Sequence, residues 1–146
     1  MIEVFAPAKI NLCLDILKKD SSGYHEIQTL IHECPQQKNS IKIYKTQQNE
    51  NKHRPKDLAN SAIQILKERF RIDKNVELEI ERIIPFSSGM GGESSNAAAV
   101  LKTLNKLWEL HLSNDELEEI AAELGCDVPF FIRGGTQLAT HFGEQL

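Results

Sequence analysis

The chain has no run of five or more like charges, and its formal net charge is −4 over 146 residues. It therefore lacks the basic stripe with which proteins hold RNA or DNA by bulk electrostatics. No apolar run approaches the ~18 residues of a membrane span. The opening MIEVFAPAKI lacks the charged-then-apolar order of a signal peptide. These absences predict a cytoplasmic protein with neither a membrane nor a nucleic acid as partner. Cysteine is scarce: Cys13, Cys34 and Cys126 are an odd number without metal-type spacing, which predicts reduced thiols. His32, His53, His111 and His141 form no ligand spacing either. There is no internal repeat and no low-complexity segment.

What is present is the patterning of one domain. At this length a domain buries roughly 68–70% of the surface its unfolded chain exposes, so a core forms without covalent staples. Ile10, Leu12, Leu14 and Ile16 alternate with Lys9, Asn11, Cys13 and Asp15, which predicts a half-buried strand. Asp20–Gly23 has turn composition. Further strands are expected from about Glu26 to Cys34 and from Ile41 to Thr46, followed by an exposed polar loop, Gln47–Lys56. Leu58, Ala62, Ile65, Leu66 and Phe70 mark a helix over Asp57–Phe70. Val76, Leu78 and Ile80 alternate with three glutamates as a strand with one dry face. Ala97, Val100, Leu101, Leu104 and Trp108 mark a second helix. Ser113–Glu116 has the form of a capping box, opening a third helix that ends at Gly125. A last strand is expected over Gly135–Phe142. The order β-β-β-α-β-α-α-β predicts an α+β domain, a largely antiparallel sheet covered on one face by helices.

The segment IPFSSGMGGESSNAAAV, Ile84–Val100, joins the dry-faced strand to the second helix. A glycine-rich bend at a helix start offers free N–H groups and the positive end of the helix dipole, both suited to phosphate. Gly89, Gly91 and Gly92 allow close backbone approach. Ser94 and Ser95 can donate to phosphate oxygens or hold Mg²⁺. No lysine follows the glycines as in a Walker loop, and Ser94 stands where a dinucleotide fingerprint needs glycine. Composition alone leaves a phosphate loop and an ordinary strand–helix connection evenly matched.

Four stretches carry more. Pro85-Phe86-Ser87-Ser88-Gly89-Met90-Gly91-Gly92-Glu93-Ser94-Ser95-Asn96 resembles the phosphate loop of the GHMP kinases, the superfamily of galactokinase, homoserine kinase and mevalonate kinase. Pro7–Leu12, Gly23-Tyr24-His25 and Leu124–Phe131 follow that family's order. Gly23-Tyr24-His25 is similar to the branch that phosphorylates a cytidine diphosphate-linked methylerythritol in non-mevalonate isoprenoid precursor synthesis. The resemblance implies an ATP- and Mg²⁺-dependent small-molecule kinase, with Lys9 and Asp127 as the catalytic pair. It implies Pro85 through Ser95 as the ATP phosphate site, with Ser95 as the Mg²⁺ ligand. Tyr24 and His25 are implied at the substrate's cytidine end, and Asn11, two residues beyond Lys9 on the same strand face, is expected to hold a substrate hydroxyl. A homoserine kinase-like enzyme or a non-catalytic nucleotide-binding fragment is the alternative. The fold this family implies also occurs in ribosomal proteins, but a net charge of −4 counts against RNA binding.

Three departures from the family pattern stand out. Glu93 occupies a place where the family usually has glycine. The expectation is a first-turn residue turned away from the nucleotide and favoured by the helix dipole, with Mg²⁺ ligation as the sharper alternative. Lys56-Asp57-Leu58 replaces the family's Glu-Asn-Leu, which leaves the adenine contacts open. Residues 1–146 match only the N-terminal domain of the family, so a C-terminal half is expected in cis or in trans, and weak or no activity without it.

Overall fold

The computed structural model describes residues 1–19, 25–47 and 57–140. The expected turn at Asp20–Gly23 and most of the expected loop Gln47–Lys56 lie outside the described residues. The first strand, β1 (Ile2–Lys19), begins well before the alternating stretch that announces it. Two expected strands are one: β2 (His25–Thr46) runs through Pro35-Gln36-Gln37, which reads as a break. The reason lies in the pairing. Pro7 of β1 faces Lys38 and the next residue, Ala8, faces Cys34, so three residues of β2 are looped out while both flanks stay paired. A bulge tolerates a proline, which has no N–H to give the ladder.

The remaining elements are α1 (Leu58–Phe70), β3 (Asn75–Glu81), α2 (Gly92–Leu107), α3 (Asn114–Leu124), α4 (Phe130–Arg133) and β4 (Thr136–Ala139). The last is shorter than the expected Gly135–Phe142, and residues 141–146 lie outside the described ones. All pairings are antiparallel. β2 is central, with β1 along one side and, on the other, β3 beside Ser40–Thr46 and β4 beside Thr29–His32. The α+β architecture expected from the element order is therefore observed, with one strand fewer at the start and one short helix more near the end.

Helices α1 and α3 form because each carries an apolar stripe and a start signal. Asp57 caps α1, its carboxylate accepting from the Asn60 N–H at 2.8 Å. Ser113 and Glu116 form the reciprocal capping box of α3. Gly125 ends α3 in extended backbone rather than in a left-handed turn. The core joins Ile41, Ile43 and Val76 of the sheet to Ala62, Ile63 and Leu66 of α1 and Val100, Leu101 and Leu104 of α2. Phe130 and Phe131 of α4 meet edge to face with centroids 5.0 Å apart. Lys102 of α2 donates to the Phe131 carbonyl at 2.8 Å, and burial pushes its ammonium pKa down. That contact fixes α4, and hence the turn before it, against α2.

β1 departs from expectation in a second way. Leu12 is skipped between the pairs Asn11–Ile31 and Cys13–Leu30, so a bulge turns the strand over at that point. Ile10 and Leu14, expected on one face, lie on opposite faces. Leu14 and Ile16 instead continue the face of Lys9 and Asn11. The stretch is also not half-buried: Leu12, Leu14 and Ile16 are 54%, 49% and 65% exposed.

Candidate functional site

The segment between β3 and α2 makes the bend its composition suggests. Gly89 and Gly91 have φ of 75° and 69°, and Ser87 is left-handed as well at 55°. Gly91 has no room for a side chain. A Cβ there would lie 2.9 Å from the Phe131 ring and 3.1 Å from Cγ of Lys9. The loop is thus pressed onto both β1 and α4, and the Lys9 N–H donates to the Met90 carbonyl at 2.9 Å.

α2 begins without a side-chain cap, unlike α1 and α3. Its first N–H groups, with the positive end of the helix dipole, are therefore available to an anion. They border a cleft of about 300 Å³ lined by Pro85–Gly89, Gly91–Ser94, Asn39, Arg82, Ile84 and Asp127. Most of the loop residues expected at a phosphate thus share one hollow. Met90 and Ser95 are outside that lining. Met90 is tied to β1, and Ser95 is buried at 1% exposure with its hydroxyl unpartnered among the described residues.

Lys9 and Asp127 meet at the same place. Lys9 Nζ lies 3.3 Å from Asp127 Oδ2 and donates to Asn11 Oδ1 at 3.1 Å. Lys9 is buried, with a side chain 7% exposed, whereas Asp127 is 39% exposed and opens onto the cleft. A lone strand lysine would be solvated. A buried ammonium requires partners, and this one has two. Asn11 shares the Lys9 face, as their spacing requires. Tyr24 lies outside the described residues. Of His25 only the backbone, at the start of β2, is described.

Glu93 stands in the first turn of α2, as expected, and is among the residues that line the cleft. Its Oε1 accepts from Arg82 Nε at 3.2 Å, and the Nη2 of the same guanidinium reaches Asp57 Oδ2 at 3.2 Å.

Sequence reasoning missed two residues. Arg82 follows a strand and reads as one more surface charge. Asn39 sits in the polar stretch taken for a break between strands. It is 1% exposed. Its Oδ1 accepts from the N–H groups of Ile83 and Ile84 at 2.8 and 2.9 Å, and its Nδ2 donates to Asn96 Oδ1 at 2.9 Å. One amide so anchors the entry of the loop to β2 and to α2. No local signal in Gln36-Gln37-Lys38-Asn39 could have marked it, since its partners come from later in the chain.

Comparison with known proteins gives the same picture. The family model described as "GHMP kinases N terminal domain" matches residues 57–135. The chain is 43% identical to the 4-diphosphocytidyl-2-C-methyl-D-erythritol kinase of Bacillus velezensis, over 97% of this chain and 52% of that protein. It superposes on a crystal structure of 4-(cytidine 5'-diphospho)-2C-methyl-D-erythritol kinase with a TM-score of 0.84 at 32% identity, covering 99% of this chain and 54% of the other. It also superposes on homoserine kinase from Cytophaga hutchinsonii with a TM-score of 0.68 at 20% identity, covering 94% and 48%. That last likeness is one of fold. The chain spans about half the length of the curated relatives it matches.

Proposed function

The chain belongs to the GHMP kinases through their N-terminal domain, and from that premise we propose that it forms the ATP-binding half of a kinase. The proposed reaction is phosphorylation of the free hydroxyl of 4-diphosphocytidyl-2-C-methyl-D-erythritol in non-mevalonate isoprenoid precursor synthesis. The observation that carries this reading is the Lys9–Asp127 pair, 3.3 Å apart, with Asp127 lining the cleft at the uncapped start of α2.

The chemistry asks little covalent work of the protein. The N–H groups of the loop and of the α2 start hold the ATP phosphates. The substrate hydroxyl sits against Asp127. Its oxygen attacks the γ-phosphorus, the bond to the β–γ bridging oxygen breaks, and its proton passes to the Asp127 carboxylate. Lys9 holds that carboxylate in place and offsets charge on the transferring group. Asn11 fixes Lys9 and supplies an amide to a substrate hydroxyl. Tyr24 and His25 take the cytidine end, by stacking and by hydrogen bonding.

The residues present fit Mg²⁺ in one respect. Among the described residues the Ser95 hydroxyl is a buried oxygen without a partner, at the end of the proposed phosphate segment. Among the described residues no group of three or more His, Cys, Asp or Glu stands together. Mg²⁺ shared with substrate phosphates and waters needs no such group. When bound, it neutralises charge on the β- and γ-phosphates.

The other half of the cleft comes from the second half of the full-length relatives' architecture, in cis or in trans. The bare apolar row Leu14 and Ile16, on the same face as Lys9 and Asn11, supports a partner lying over that side. The test is calorimetry with ATP, then turnover of the chain joined to a second half. Asp127→Asn is expected to keep ATP affinity and to lose roughly 10²–10⁴-fold in rate. Undiminished turnover by that variant removes Asp127 as the base. The 146-residue chain alone is expected to turn over weakly or not at all, and brisk turnover by it removes the need for a second half.

A further inference from the structure

Glu93 raises a problem that the nucleotide reading does not solve. It is a carboxylate in the first turn of the helix whose positive end is meant for phosphate. The same field that favours the carboxylate favours the ligand, so the two compete. An unpaired Glu93 would also repel a triphosphate across the low-dielectric wall of the cleft.

The structure supplies a counter-charge. Arg82, just past the end of β3, lines the cleft beside Glu93. Its guanidinium is two-pronged: Nε reaches Glu93 Oε1 and Nη2 reaches Asp57 Oδ2, both at 3.2 Å. Asp57 is the more buried of the two acids, with a side chain 13% exposed against 29% for Glu93. Its other oxygen is committed to capping α1. Asp57 therefore anchors one prong of Arg82, and the other prong meets Glu93.

We propose that Arg82 is a positioning residue for the anionic part of the nucleotide, acting by cancelling the charge of Glu93 where the phosphates enter. This rests on the ATP reading above and deepens it. Arg82 need not touch the nucleotide. Its role is to make an acidic residue in the phosphate loop electrostatically silent, and to lock the α1 start, the end of β3 and the α2 start into one wall.

The proposal is tested by affinities for ATP and for adenosine, which lacks the charges, in the wild type and in Arg82→Gln, Arg82→Lys, Glu93→Gln and the double variant Arg82→Gln/Glu93→Gln. Arg82→Gln is expected to weaken ATP binding about tenfold, the effect of one unmasked charge at this range. Its adenosine affinity should stay within about twofold. Glu93→Gln should tighten ATP severalfold, because the guanidinium is freed, and Arg82→Lys, which keeps the charge but not the fork, should fall between the wild type and Arg82→Gln. The double variant should return to within about threefold of wild type. A double variant as weak as Arg82→Gln overturns the proposal, since Arg82 would then be a direct ligand. Adenosine affinity falling in step with ATP also overturns it, since the wall would simply have collapsed. So does weaker ATP binding in Glu93→Gln, which would make Glu93 a contributor to the site. A wild type that binds neither ligand removes the nucleotide reading itself, and this inference with it.

Discussion

The two halves of β1, on either side of the bulge at Leu12, are both rich in apolar residues and end in different surroundings. Before it, Ala6, Ala8 and Lys9 are buried, and Val4 packs against the core. Beyond it, Leu12, Leu14, Ile16 and Leu17 are all about half exposed or more. The first half is covered because α2 and the phosphate loop lie on it, through contacts such as Lys9 N–H to Met90 O. The second half extends past every helix. Alternation reports which residues share a face of a strand, and only until a bulge intervenes. It does not report whether anything lies on that face. Lys9 and Asn11 sit at the junction of the covered and bare halves, which is where a substrate could reach a buried ammonium.

This contrast can be broken by experiment. The largest effect is expected under the covered half. Ile41, opposite Val4 and fully buried, should cost about 2–5 kcal/mol when changed to Ala, read by urea denaturation. A loss below ~1 kcal/mol would mean that this end of the ribbon is no better packed than the other. At the junction, Gly91→Ala forces a methyl into the Phe131 ring at 2.9 Å and keeps a left-handed backbone. It should cost about 1–3 kcal/mol from overpacking, with roughly 1–2 more from the backbone. Its ATP affinity should fall as well. An unaltered denaturation midpoint would show that the loop is not pressed onto β1. Asn39→Ala strands the Ile83 and Ile84 N–H groups, and about 1–3 kcal/mol should be lost. Asn39→Asp, which keeps the acceptor, should recover part of it. The smallest effect belongs to the bare half: Ile16→Thr should move the stability of this chain by no more than ~0.5 kcal/mol. If it costs as much as Ile41→Ala, the exposed half is covered in solution by something outside these residues.

Much of the local structure was legible because its causes are local. The capping box at Ser113–Glu116, the Asp57 start of α1, the apolar stripe of α2 and the dry face of β3 follow from spacing that neighbouring residues impose on one another. The bend before α2 was legible for the same reason: positive φ near its glycines, next to a helix start, is written into the composition. The misreadings share one cause. Pro35-Gln36-Gln37 looked like the end of a strand because the partner strand that carries β2 past it cannot be seen locally. Ser87 adopts φ 55° with no glycine to announce it. Arg82 and Asn39 owe their importance to residues distant in the chain.

By itself, then, the amino-acid order determined the kinds and rough extents of the elements, the glycine bend at the α2 start, and the presence of a lysine and an aspartate with the chemistry to act together. Only the folded chain decided that Lys9 is buried against Asp127, that Glu93 is matched by Arg82, and that β1 turns over at Leu12 and leaves Leu14 and Ile16 bare. The physical reason is range. Backbone preference and periodicity act over a few residues, whereas burial and charge pairing are set by whatever the sheet and helices bring within a few ångströms.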